Sequence, residues 1–195
     1  MSRPDEPPEA VPTLETERLV LRLPTAREAR AVLSFVRENE EHLRPFEPVR
    51  PAEHFTLAFH RAALARAARD ASADRHYRWW LFGKDAPARA IGNVGVSNVA
   101  RGAFQSAHLG FALAAEAQGK GLMHEALEAV VRCAFGELNL HRLEANHLPD
   151  NARSARLLAR LGFERIGLAP RYLRIAGQWR DHVQTQRTNE GSGEP

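Results

Sequence analysis

Two glycines flank a lysine in Gln118-Gly119-Lys120-Gly121-Leu122-Met123, just after the apolar run Leu109-Gly110-Phe111-Ala112-Leu113. A strand, a short loop and the first turn of a helix, in that order, can hold an anion. The first residues of a helix leave backbone N–H groups without partners, and the helix dipole adds partial positive charge there. Glycines keep side chains away from a phosphate approaching those groups. Lys120 adds a full charge, so residues 118–123 suit a pyrophosphate. The competing reading is a plain turn that starts a helix. Other phosphate motifs fit worse. A P-loop requires a further glycine upstream, where Ala114-Ala115 stands. A dinucleotide fingerprint requires a third glycine at His124, and the loop comes late in the chain for that fold.

A second group of polar residues follows. In Asp150-Asn151-Ala152-Arg153-Ser154, Asn151 reads as a helix N-cap and Ser154 as a first-turn serine bonding local backbone. Glu144 lies in a predicted strand, where a carboxylate paired with a nearby arginine is the ordinary expectation. His108, His141 and His147 are of the residue type best suited to proton transfer near neutral pH, although a lone histidine is more often a satisfied structural residue. The single cysteine, Cys133, cannot form an intrachain disulfide and falls in a helical pattern, so it is expected in the core. With no cysteine cluster for zinc, no metal site is expected.

These residues need elements to position them. Leu19, Leu21 and Leu23 alternate in residues 17–23, a strand pattern, and Thr25 can cap a helix reaching about residue 39. A proline-interrupted loop over residues 42–51 precedes an Ala/Arg-rich helix over 53–69. Residues 77–82 and 90–97 form a strand pair around a turn at 83–87, and residues 107–113 form another strand. Leu122, Ala126, Val130 and Ala134 stripe a helix over 122–135. A strand over 141–146, a helix ended by Gly162, and strands over 172–175 and 177–186 complete the order. Antiparallel strands first and a strand–helix–strand–helix–strand unit later imply an α/β (α+β) fold with a single mixed sheet flanked by helices.

At 195 residues, one domain is expected over 14–187. Residues 1–13 and 188–195 have little apolar surface to bury and are expected to be disordered tails. Each tail is net −2, which leaves +7 on the body of a chain whose total is +3. A basic body favours anionic partners, a phosphorylated cofactor or an RNA-rich particle among them. No apolar run approaches the roughly 20 residues of a membrane span, and the start lacks the basic and apolar regions of a secretory signal. A cytoplasmic location is expected.

The glycine loop together with its neighbours resembles the GNAT N-acetyltransferases, whose pyrophosphate loop runs Gln/Arg-x-x-Gly-x-Gly/Ala. Gln118 through Gly121 match, while Met123 stands where a small residue is commoner. His141-Arg142-Leu143-Glu144-Ala145, Asp150 through Ser154 and Leu161-Gly162-Phe163-Glu164 resemble the Asn-x-x-Ser…Gly-Phe signature of the RimJ/RimL branch. Residues 42–50, 97–102 and 172–182 extend that likeness toward members that acetylate the N-terminal alanine of a small-subunit ribosomal protein. The resemblance implies a GNAT fold in which acetyl-coenzyme A lies between two splayed parallel strands, here those ending at Leu113 and running over 141–146. It implies a ribosomal protein N-terminus as acceptor, and association with ribosomal subunits. Acetyl transfer would follow direct attack through a tetrahedral intermediate. A small-molecule amine as acceptor, or a ribosome-assembly or acyl-coenzyme A-binding module with weak catalysis, are the alternatives.

By the same resemblance, backbone groups of Phe111, Ala112 and Leu113 pair with the pantetheine arm, and residues 118–123 hold the diphosphate. Asn151 contacts the arm, and Ser154 lies near the sulfur as a proton donor. RimL-type enzymes place an acid just before the Tyr-Leu matched by Tyr172-Leu173, where this chain has Arg171. Arginine cannot accept a proton; Glu144, on the strand lining the opening, is the substitute candidate base, with backbone carbonyls and water as a further option. Phe46, Glu47, Tyr172 and Trp179 are expected to shape the acceptor site.

Overall fold

The computed structural model describes residues 11–191. In chain order the elements are β1 (Leu14–Glu15), β2 (Leu19–Arg22), α1 (Ala29–Glu38), α2 (Glu40–Leu43), α3 (Leu57–Ser72), β3 (His76–Gly83), β4 (Ala86–Ala100), β5 (Ser106–Leu113), α4 (Leu122–Phe135), β6 (Arg142–His147), α5 (Ala152–Arg160), β7 (Glu164–Ile175) and β8 (Gln178–Thr188). The strands form one eight-stranded sheet in the order β1-β2-β3-β4-β5-β6-β8-β7. Every neighbouring pair is antiparallel except β5 and β6.

Period-two alternation on β3 explains why both faces of the sheet are covered. Tyr77, Trp79 and Leu81 enter a core with Ala126, Leu127 and Val130 of α4 and Leu143 of β6. Trp80 and Phe82 point the other way and join Val32 and Phe35 of α1 and Leu64 of α3. Cys133 is buried in the α4 core, as its helical position implies, and burial pushes its thiol up to about 12.

Several boundaries differ from expectation for local reasons. Gly83 pairs with Ala86, so the hairpin turns in two residues and β4 starts earlier than expected. The helix expected from residue 53 starts instead at Leu57, where the Thr56 hydroxyl accepts from Phe59 N at 3.3 Å. Residues 26–28 form a 3-10 turn before α1, and Glu28 accepts from Thr25 N at 3.0 Å. The strand expected over 172–175 reaches back to Glu164, and its Pro170 is tolerated because β7 is an edge strand.

The ordered body also exceeds the expected bounds where the ends are described. Val11 packs against the core, and Trp79 Nε1 donates to Pro12 O at 2.8 Å. At the other end Asn189 N donates to His141 O at 2.8 Å. The rest of the expected tails, residues 1–10 and 192–195, lie outside the described residues. Among the described residues, no helix is long and apolar enough to cross a membrane.

Leu127 is fully buried at the centre of the α4 core. Leu127→Ala is expected to cost about 2–5 kcal/mol of unfolding free energy, read by urea denaturation.

Candidate active site

The chemistry-bearing residues gather where β5 and β6 meet. These strands pair at only three positions, Ser106–Arg142, Ala107–Leu143 and His108–Glu144. Beyond them β5 continues to Leu113 against β4 alone, and β6 continues to His147 against β8 alone. The result is the expected fork. Ala114 N donates to Ile91 O on β4 at 2.8 Å. Because bonding alternates along an antiparallel strand, the backbone groups of Phe111 and Leu113 then point away from β4 into the fork, while those of Ala112 point to β4. An extended ligand can add to that edge as a short strand.

The open end of the fork leads to the glycine loop. Gly119 and Gly121 have φ of 74° and 76°, a region that only glycine enters without strain. A Cβ on Gly119 would meet nothing within 4 Å, so the loop surface is bare backbone facing open space. The first intrahelical bond of α4 runs from Glu125 N to Gly121 O, leaving the amides of Leu122 and Met123 without helical partners among the described residues. Met123 is 6% exposed and packs in the α4 core, so its bulk stays out of the loop. Lys120 is exposed beside it. This arrangement fits a diphosphate.

Four residues outside the glycine motif hold the loop. Arg18 Nη1 donates to Lys120 O at 2.9 Å and its Nε to Glu125 at 2.7 Å. Burial would raise the Glu125 pKa, but hydrogen bonds from Thr16 and Arg18 outweigh it and hold the carboxyl below the usual range. Gln118 is gripped from both sides, by His42 Nε2 at 2.9 Å and by Arg153 Nη1 at 2.5 Å. The buried Asn39 accepts from Ala115 N at 3.1 Å and donates to Phe35 O at 2.9 Å, tying the end of α1 to the segment after β5. Sequence reasoning missed Arg18, Asn39, His42 and Arg153, because each acts from 35 to 102 residues away.

Asn151 caps α5, its Oδ1 accepting from Ser154 N at 3.1 Å. The Ser154 hydroxyl is half-buried and makes no hydrogen bond among the described residues. Glu144 sits at the closed base of the fork. Its carboxylate accepts from Arg142 Nε at 3.0 Å and lies 3.6 Å from His108 Nε2, so the ordinary paired state is what the structure shows. Arg171 has φ 50° in a bulge opposite Asp181, whose carboxylate accepts from Arg171 N at 2.8 Å.

A cavity of about 550 Å³ opens on the other face of the sheet, between α1, α3, the 47–50 segment and β3–β5. It reaches Gly110, Phe111 and Ala112 and therefore meets the fork. Of the four expected acceptor residues only Glu47 lines it, with its carboxylate paired to Arg50 at 3.1 Å. Phe46 and Trp179 are 45% and 57% exposed on the surface, so they are neither core nor cavity wall. Tyr172 is directed to the β6 wall, its hydroxyl accepting from Asn146 Nδ2 at 3.4 Å. The cavity wall instead carries His54, His60, His76, Arg66 and Arg78, which lie in no recognisable motif. Burial pulls both His54 and His76 down to about 4, with nearby arginines, Arg78 among them, adding to the effect. Burial also lowers His60. Among the described residues there is no cluster of histidine, cysteine or acid able to hold a metal.

Residues 18–164 match the family described as the acetyltransferase (GNAT) domain. The chain is a GNAT acetyltransferase. It is 42% identical over 175 residues to the ribosomal protein uS5-alanine N-acetyltransferase of Escherichia coli, with 90% of each chain covered. The ribosomal-protein-S5-alanine acetyltransferase of Vibrio fischeri superimposes with a TM-score of 0.89 at 33% identity, over 94% of this chain and 100% of that one. Mycobacterium smegmatis RimJ, solved in complex with CoA-disulfide, has a TM-score of 0.85 at 28% identity, over 96% of this chain and 90% of that one. The GNAT fold expected from the loop and its flanking motifs is therefore present, with its single mixed sheet and flanking helices.

The cavity histidines give this acetyltransferase a pH signature. A histidine whose folded pKa is depressed contributes stability that is complete above its unfolded value, near 6.5, and that fades as pH falls toward about 4. The unfolding free energy of the His54→Gln/His76→Gln variant is expected to fall less steeply than that of the native chain between those limits. Urea titrations at several pH values measure this, and parallel slopes would contradict it.

Proposed function

We propose that this acetyltransferase moves the acetyl group of acetyl-coenzyme A onto the α-amine of a protein N-terminus, an N-terminal alanine of a small-subunit ribosomal protein. The observation that carries the cofactor half is the fork joined to a bare glycine loop at a helix start. The acceptor half rests on the likeness to the Escherichia coli enzyme across nearly the whole chain, and on a cavity that meets the fork from the opposite face.

In this reading the backbone edge at Phe111 and Leu113 holds the pantetheine arm, with Ala112 between them bonded to β4. Residues 118–123 hold the diphosphate. Asn151, already capping α5, sets the α5 terminus beside the arm, and Ser154 lies near the sulfur. An α-amine of pKa about 7.7–8.0 is roughly one-tenth neutral at pH 7, so little base assistance is required. A lysine acceptor near pKa 10.4 would cost about 3 kcal/mol more to deprotonate. Glu144, opposite His108 at the base of the fork, takes the proton through that histidine or water. The neutral amine attacks the thioester carbon, an outward backbone N–H of β5 stabilises the oxyanion, and the collapsing intermediate expels a thiolate. The Ser154 hydroxyl, free of other bonds, passes a proton to that thiolate and regains one, through water, from the nitrogen of the intermediate, which leaves the neutral amide. Glu47, the half-buried Tyr172 and the exposed Phe46 and Trp179 surround the approach of the acceptor. A cytoplasmic setting and contact with ribosomal subunits follow from such a substrate.

Mass spectrometry of alanine-led peptides incubated with acetyl-coenzyme A tests the acceptor. One acetyl group is expected on the free α-amine and none when that amine is blocked; acetylation of lysine side chains alone would contradict the assignment. Ser154→Ala is expected to lower kcat by about 10²-fold with little change in KM for acetyl-coenzyme A.

A further inference from the structure

We propose that Arg78 selects the acceptor by pairing with a carboxylate carried within the first four residues of its N-terminus; the inference rests on the acceptor reading above. Arg78 lies on β3 in register with Gly95 of β4, which pairs in turn with Gly110 of β5. Two adjacent glycines leave the sheet floor between Arg78 and the fork free of side chains. Arg78 uses that space, its Nε lying 3.8 Å from where a Cβ on Gly95 would stand. The His76 ring leans over the same glycine, with Nε2 at 3.2 Å. Strands are about 4.8 Å apart, so the row from Arg78 to Gly110 spans roughly 10 Å, about three extended residues. An amine held at the open segment of β5 therefore places the following residues of its chain along this row.

The charge of the cavity points to an anion. Of the lining acids, Glu47 is paired with Arg50 and Asp70 with Arg75, and Arg44 offsets the charge of Glu40, whereas Arg66 and Arg78 make no hydrogen bond or ion pair among the described residues. Arg78 lies exposed in the open cavity, where its guanidinium stays protonated. Burial keeps His54 and His76 neutral, and Arg78, close to both, adds to that effect. His60 and His76 also present Nε2 atoms that are buried and without partners. An α-ammonium entering alone meets like charge, and a carboxylate close behind it offsets that repulsion while giving the Arg78 guanidinium a partner.

The experiment is a peptide scan with the full-length chain and acetyl-coenzyme A. Alanine-led peptides carry a single Glu or a single Gln at position 2, 3, 4 or 5, and kcat/KM is measured for each. Glu is expected to exceed Gln by about 10- to 100-fold at one position among 2–4, as a charge-assisted hydrogen bond gives. In Arg78→Gln that ratio is expected to fall below about 3-fold, with coenzyme A binding heat reporting that the variant is folded. Arg78→Glu is expected to reverse the preference, favouring Lys at the same position. Equal rates for Glu and Gln peptides in the native chain overturn the proposal without any variant, as does a ratio that survives in folded Arg78→Gln. If no alanine-led peptide is acetylated while another amine is, the acceptor reading fails first and this proposal falls with it.

Discussion

A β-strand that loses its neighbour leaves a row of backbone donors and acceptors that must be bonded to something. β5 is in that position. It lies in the middle of an eight-stranded sheet, yet after His108 no described residue pairs with its β6-facing edge. Edge groups at the rim of a sheet can be solvated, but these lie inside the fold, between two strands fixed at their other edges by β4 and β8. The strands cannot close the gap by moving together, since each is locked by an antiparallel ladder with its outer neighbour. An extended, amide-bearing molecule is the kind of ligand that completes such an edge.

The surroundings serve that gap. α4 begins just past the open end and aims its unpaired amides there, while its body is anchored by Leu127 and Val130 in the core. The loop before it is held at a defined height by Arg18, Asn39 and Gln118, which tie it to β2, α1 and α5. On the opposite face α1 and α3 stand off from the sheet and leave a cavity, whose floor is kept low by Gly95 and Gly110. Ligands can thus reach one stretch of backbone from two sides.

The strand and helix order was legible because its signals are local. Leu19 and Leu21 alternate, Leu122 to Ala134 repeat at helical spacing, and Gly119 and Gly121 occupy the positive-φ positions that a tight loop requires. The glycine loop could be found for the same reason: the chemistry of a diphosphate site is written in consecutive residues. The acceptor side was not. Arg78 and His76 look like ordinary strand residues, and only the register of β3 against Gly95 shows that they lean over a bare floor. Phe46 and Trp179 stand on the surface and not on the cavity wall, since aromatic character in a motif says nothing about whether a side chain faces a cavity or solvent. Glu144 was placed on the right strand and its pairing with an arginine, here Arg142 two residues before it, was expected, but its approach to His108 depends on the register of the parallel ladder, which no periodicity reveals.

The claim that a ligand completes β5 is tested most directly by amide hydrogen exchange, with and without saturating coenzyme A. The N–H groups of Phe111 and Leu113 are expected to slow sharply, together with those of residues 119–123, while Ala112 and Ala114, already bonded to β4, change little. Unaltered exchange at Phe111 and Leu113, with calorimetry showing the coenzyme bound, would contradict it.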